Sequence, residues 1–183
     1  MKTSYYLLFL FFFLMACKPS TVWVTYENPT FQYTIKFPEK PTIETRQINT
    51  FLGQAPAEMA SAFEYSSPNR NNIFTVSCTT LPNIGLLDSV ILDVDNIAKG
   101  MIEGLLERFQ GELLYEKEIE VATYSAKEFR IEFDNPKVEG TNHMTVRVFM
   151  KGNLQFIIQT ISEKEKNTQA SIDQFMNSFA WIE

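Results

Sequence analysis

His143 is the only imidazole in this 183-residue chain, and Cys17 and Cys78 are its only thiols. Acid–base chemistry near neutral pH therefore has a single ready proton shuttle. His143 follows Asn142 in a polar stretch and precedes the alternating run from Met144, which predicts a solvated loop position. A zinc site needs three or four convergent ligands, and one histidine with one distant thiol does not supply them. Cys78 alternates with Phe74 and Val76 and so reads as a buried, inert thiol rather than a nucleophile. A Ser-His-Asp arrangement has nothing specific in its favour, since the chain has no Gly-x-Ser-x-Gly elbow and no phosphate loop. Asp88, Asp93 and Asp95 carry the oxygen ligands that calcium takes, but lack the glycine and closing glutamate of a calcium loop. Helix capping and solubility explain them better. Glu163-Lys164-Glu165-Lys166 reads as a solvated loop. No catalytic residue, metal ligand or cofactor is expected.

Cys17 carries different chemistry. Lys2 is the single early charge, and about eleven apolar residues follow from Tyr5 to Met15. A helical span needs roughly 20 such residues, whereas this length suits the apolar part of a secretory signal. Leu14-Met15-Ala16-Cys17 resembles the lipobox of bacterial lipoproteins, with Met15 a mild departure. That resemblance implies cleavage after Ala16, removal of residues 1–16 and fatty acylation (palmitate or similar) of Cys17. Two or more chains bind a bilayer durably because each buried methylene adds about 0.8 kcal/mol. Lys18 to Thr21 then form a short polar tether, and residues 22–183 form the domain. Membrane attachment through Cys17 places that domain in the cell envelope, outside the cytoplasm.

Composition narrows the partners. Removing residues 1–16, which include Lys2 and no acid, leaves 167 residues with 15 basic and 22 acidic side chains. That is enough chain for one domain with its own core. An acidic surface does not suit nucleic acid, which requires concentrated Lys and Arg. With Cys17 acylated, Cys78 has no partner for an intramolecular disulfide, so stability must come from packing.

The hydrophobic pattern supplies the elements. Val22 to Tyr26 predicts a short strand, and Phe31 to Phe37 alternates as a half-buried one before Pro38. Thr42 to Thr50 reads as a polar edge strand. Ala57 to Tyr65 and Ile73 to Thr80 follow on either side of a break rich in Asn, Ser and Pro. Ile97, Met101, Leu105 and Phe109 recur at helical spacing, with Ile102 and Leu106 beside them. Asp93 or Asp95 is expected to cap this helix and Gly111 to end it, while Gly100 and Gly104 allow close packing on a sheet. Four strands are then expected: Leu113–Val121, Tyr124–Asp134, Met144–Lys151 and Leu154–Ile161. Gly152-Asn153 turns the last pair. In this reading Phe149, Ile157 and Ile161 share the face opposite Met144, Val146 and Val148, under a terminal helix from about Thr168 to Ala180. The expected fold class is α+β, a central antiparallel sheet flanked by helices.

The strand ending in Phe37-Pro38, the central helix, and the run from Leu113 to Phe133 leading to a hairpin and final helix resemble the PsbP/Mog1/DcrB-like superfamily. The stretch Ala122-Thr123-Tyr124-Ser125-Ala126-Lys127-Glu128-Phe129 keeps the tyrosine and Glu-Phe pair of a turn that is glycine-rich in relatives. The resemblance implies an α/β/α sandwich and a binding or assembly role, and it carries no catalytic residue across. Core packing is the default for the aromatics at the two ends of the domain. An exposed subset of Trp23, Tyr26, Tyr33 and Trp181 would form a recognition surface for an envelope protein partner. A small-molecule or lipid-binding lipoprotein is the alternative, with an unfamiliar hydrolase or metal enzyme behind it.

Overall fold

A computed structural model describes residues 22–50, 53–66, 69–81, 93–134, 140–164 and 168–182. Cys17, the stretch before it and Asp88 lie outside the described residues. Two sheets form. A seven-stranded antiparallel sheet contains β3 (Thr42–Thr50), β4 (Gly53–Ser66), β5 (Asn69–Thr80), β6 (Glu112–Val121), β7 (Tyr124–Asp134), β8 (Thr141–Lys151) and β9 (Leu154–Glu163). Its order is β3-β4-β5-β9-β8-β7-β6. A three-stranded sheet joins β1 (Val24–Asn28), β2 (Tyr33–Phe37) and β10 (Ala180–Trp181) in the order β1-β2-β10. The sequence predicts one sheet; the second exists because the chain's last residues return to pair with β2, Trp181 opposite Tyr33.

The large sheet is covered on both faces. On one side lies α1 (Val94–Phe109), whose Ile97, Ala98 and Ile102 are buried. Asp93 caps it, accepting from the Asp95 amide at 3.2 Å. Beneath α1 sit Phe129, Ile131, Phe133, Met144, Val146 and Val148, with Ile157 and Ile161 beside them. Here the register corrects the sequence reading. Ile157 pairs with Val148 and Ile161 with Met144, so both isoleucines share the face of Met144 rather than that of Phe149. Directly opposed residues on neighbouring strands point the same way.

The other side carries an aromatic core. α2 (Gln169–Met176) contributes Ile172, Phe175 and Met176, and the small sheet contributes Tyr33, Ile35 and Phe37. They pack on Phe74, Val76, Cys78, Phe149, Phe156 and Ile158. Phe149 and Phe156 stack with centroids 5.1 Å apart, and Phe179 stacks on Tyr33 at 5.3 Å. Each fully buried ring removes its apolar surface from water, an effect of about 1.5–3 kcal/mol per side chain. α2 is shorter than the expected helix because the chain leaves helical geometry at Asn177 to reach β10.

Three backbone details follow from local chemistry. Gln110, not Gly111, takes the left-handed conformation at the end of α1, with φ 51°. Gly111 is needed for space instead, since a Cβ there would meet the Glu132 carbonyl oxygen at 2.6 Å. The β6–β7 turn puts Ala122 and Thr123 at φ 46° and 75°. Left-handed geometry costs a side-chain-bearing residue roughly 1–2 kcal/mol, and neither position is a glycine. Trp181 Nε1 ties this turn down by donating to the Ala122 carbonyl at 3.1 Å.

Gly100 and Gly104 do not serve the packing role expected of them. Both are exposed, and a Cβ on either meets nothing within 4 Å. Gly104→Ala is therefore expected to raise stability by up to about 1 kcal/mol, read as a higher urea midpoint. A lower midpoint would mean that the helix packs more tightly there than its geometry indicates.

Candidate functional site

On the aromatic side, β6, β7 and β8 bring two cross-strand rows of polar residues beneath α2. Lys117, Glu128 and Arg147 are directly opposed in one row; Tyr115, Arg130 and Thr145 are opposed in the next. With Gln169, Ile172, Asp173 and Met176 of α2, they line a cleft of about 480 Å³.

The first row is locked. Glu128 is only 4 % exposed. Its carboxylate accepts from Arg147 Nε at 2.6 Å, Lys117 Nζ at 2.8 Å and Tyr115 Oη at 2.9 Å. Burial pushes this carboxyl up, but the hydrogen bonds from Lys117 and Arg147, with the charge of Arg147, outweigh it and hold the group below its ordinary value. Burial, then the bond to Glu128, pushes the Tyr115 phenol up to about 12. Arg147 also reaches the end of α2, where Nη1 donates to the Met176 carbonyl at 2.6 Å and to Asn177 Oδ1 at 3.1 Å. A cation there satisfies the carbonyls that a helix leaves open at its C-terminus.

The second row is less saturated. Arg130 Nε donates to Thr145 Oγ1 at 2.8 Å, and the guanidinium lies 5.5 Å from the Tyr115 ring centroid. Lys117 Nζ lies 5.2 Å from the same centroid. Arg130 has no carboxylate partner among the described residues. On the α2 side, Asp173 Oδ1 accepts from Gln169 Nε2 at 2.8 Å.

Sequence reasoning missed this cleft. Arg130 and Glu132 alternate with Phe129, Ile131 and Phe133, and so read as outward-facing. They do face away from α1, but "outward" on this sheet leads to a second layer. The available signal was the coincidence of polar positions on three consecutive strands.

The residues singled out from sequence do not gather here. His143 lies within β8 and is half-buried, not on a solvated loop, because the strand begins at Thr141. It pairs with Glu132, Nε2 to Oε2 at 2.9 Å, and Lys164 Nζ reaches the same oxygen at 2.7 Å. Hydrogen bonds from Lys164, then from His143, lower the Glu132 carboxyl. Ser162 lies opposite His143 on β9, yet no hydrogen bond joins them among the described residues. The backbone N–H groups around them belong to strand ladders, so the row offers no spare donors of the kind that stabilise an oxyanion.

Cys78 is buried, and burial followed by the charge of Glu58 pushes its thiol up to about 12. Asp95 pairs with Lys127 Nζ at 3.0 Å. Among the described residues, no group of three or more His, Cys, Asp or Glu side chains is placed to hold a metal ion, and no helix is long and apolar enough to cross a membrane. Of the proposed recognition aromatics, Tyr33 is 1 % exposed and so offers no surface. Trp23, Tyr26 and Trp181 are half-buried with their rings against the core. Tyr26 is further tied by its hydroxyl to Glu58 Oε1 at 3.2 Å.

No family model and no curated protein matches this chain. Among solved structures, the cyanobacterial PsbP protein CyanoP from Synechocystis is similar, with a TM-score of 0.55 at 9 % identity, over 92 % of this chain and 98 % of that one. A Pseudomonas aeruginosa protein of unknown function gives a TM-score of 0.47 at 10 % identity, over 85 % of this chain and 94 % of that one. The fold is therefore PsbP-like: a mostly antiparallel α+β architecture of two sheets and two helices.

Proposed function

We propose that this chain is a non-enzymatic, lipid-anchored protein of the bacterial cell envelope whose folded domain binds a protein partner through the cleft beside α2. The observation that carries this reading is Glu128 held by three donors. A carboxylate with three of its roughly four acceptor sites filled, and held below its ordinary value, has no tendency to take up a proton near neutral pH. What it does is fix Lys117, Arg147 and Tyr115 in place. Binding sites gain from such preorganisation because little side-chain freedom is lost when the partner docks.

The anchor complements this. Acyl chains on Cys17 would hold the protein to a bilayer, and residues 18–21 span at most about 14 Å when fully extended. The partner would thus be membrane-proximal. A small polar ligand is the second reading, favoured by the cleft volume, which falls within the range of roughly 300–1,000 Å³ usual for ligand pockets. A lipid tail fits less well, because charged side chains dominate the lining.

Chemical crosslinking in intact cells at native expression tests the proposal, together with the mass of the mature N-terminus. A discrete adduct and an acylated Cys17 are expected. A free chain beginning at Met1 would remove the anchor, and the absence of any specific adduct would remove the partner.

A further inference from the structure

We propose that the cleft takes an oxyanion, the carboxylate or phosphate head of a larger ligand, on the terminal guanidinium nitrogens of Arg130 with Lys117 as the second cation. This rests on the cleft being a binding site, and it adds the chemistry of what is bound.

Charge in the cleft is unmatched. Three cations line the cleft (Lys117, Arg130 and Arg147) against two carboxylates, Glu128 and Asp173. The chain as a whole carries −6, so a cationic cleft runs against its composition. Arg147 has its counter-charge, with Nε on Glu128 and Nη1 on the end of α2. Among the described residues Arg130 has none; only its Nε is engaged, by a neutral hydroxyl, and the Tyr115 ring lies beside the guanidinium. A guanidinium fixed in this way at Nε keeps its two terminal nitrogens as a planar fork, the geometry that matches two oxygens of one anion. Lys117 is held at one donor by Glu128 and its side chain is 54 % exposed, so further donors are open to an incoming group.

A half-buried arginine without a counter-charge loses hydration with no compensating pair. A bound oxyanion restores that pairing. The Glu128 carboxylate does not occupy the role, because its donors are Arg147, Lys117 and Tyr115. The cleft volume of about 480 Å³ exceeds what one carboxylate or phosphate group fills. The anion is therefore the head of something longer, running along the α2 side past Ile172 and Met176.

The test is a titration of the lipid-anchored protein in detergent micelles, following the backbone amide resonance of Thr145, which lines the cleft and is unchanged in every variant. Two probes are used: inorganic phosphate, and an N-acetylated, amidated tetrapeptide of glutamate. A saturable shift with either is expected, and the probe that produces it identifies the source as phosphate or carboxylate. Arg130→Gln should weaken binding by about ten-fold or more, since the lost contact is a charge-assisted one. Arg130→Lys should recover part of it, and Lys117→Met should weaken it independently. No saturable shift with either probe in folded protein, or unchanged affinity in Arg130→Gln, would overturn the assignment. The two levels separate in cells. An adduct that persists in Arg130→Gln keeps the partner and removes the oxyanion; no adduct in the wild type removes the partner itself.

Discussion

Glu128→Ala is expected to destabilise the domain by about 3–5 kcal/mol, because breaking a buried pair leaves the opposing charge uncompensated. Arg147 would keep its contacts to Met176 and Asn177 but lose the carboxylate on Nε. Tyr115 and Lys117 would lose their shared acceptor as well. The measurement is the urea midpoint at pH 7. Loss of under about 1 kcal/mol would mean that water replaces the carboxylate at no great penalty. Replacing Glu128 and Arg147 together by apolar residues should cost less than the sum of the single changes, since neither charge is then orphaned. The pH dependence has a definite sign. The folded-state carboxyl lies below its ordinary value. Its stabilisation is thus complete above the unfolded value of about 4.3 and is lost as pH falls through the folded one. In Glu128→Gln that part of the acid limb should flatten.

Phe156→Ala is expected to cost a similar amount, about 3–5 kcal/mol, through lost transfer energy plus a residual cavity. Phe156 is fully buried and touches Tyr33, Phe149, Phe179 and Trp181. These rings come from both sheets and from the segment after α2, so one truncation loosens the whole layer. Chemical denaturation reads the loss, and Phe156→Leu should show clearly less of it. Equal effects would indicate that refilling the volume without the ring recovers nothing, so that the ring contacts rather than the cavity set the cost.

Much of this architecture was legible in the chain. The alternation of Phe129, Ile131 and Phe133, and of Met144, Val146 and Val148, locates β7 and β8, and the four-residue spacing of Ile97, Met101, Leu105 and Phe109 locates α1. These patterns are local, and burial on one face imposes them directly. What stayed hidden depends on register and layering. Whether Ile157 lies with Val148 or with Phe149 is decided by which residue it opposes, a one-residue matter that inverts the face. The second sheet needs Ala180 and Trp181 to meet Thr34 and Tyr33, residues from the far end of the domain. His143 reads as loop in the sequence because polar residues before an apolar run look like one, while in the fold Thr141 and Asn142 already pair with Asp134 and Phe133.

The cleft was illegible for a related reason. Lys117, Glu128, Arg130 and Arg147 sit on alternate positions of their strands and look like an ordinary wet face. Only the arrival of α2 over that face encloses them, and only the register lines Lys117, Glu128 and Arg147 into one row. The aromatic residues, which stand out in the sequence, went to packing instead. Tyr33 is buried, and Trp181 secures a strained turn. Composition thus pointed to the core, while geometry points to the charged residues beside it.

The proposed partner would sit on this cleft rather than elsewhere on the domain. Site-specific photocrosslinking in living cells tests it most directly, with the probe at Gln169 on the cleft lip or at Glu103 on the exposed side of α1. A discrete adduct is expected from position 169 and none from position 103. Identical patterns from both positions, or an adduct from 103 alone, would contradict it.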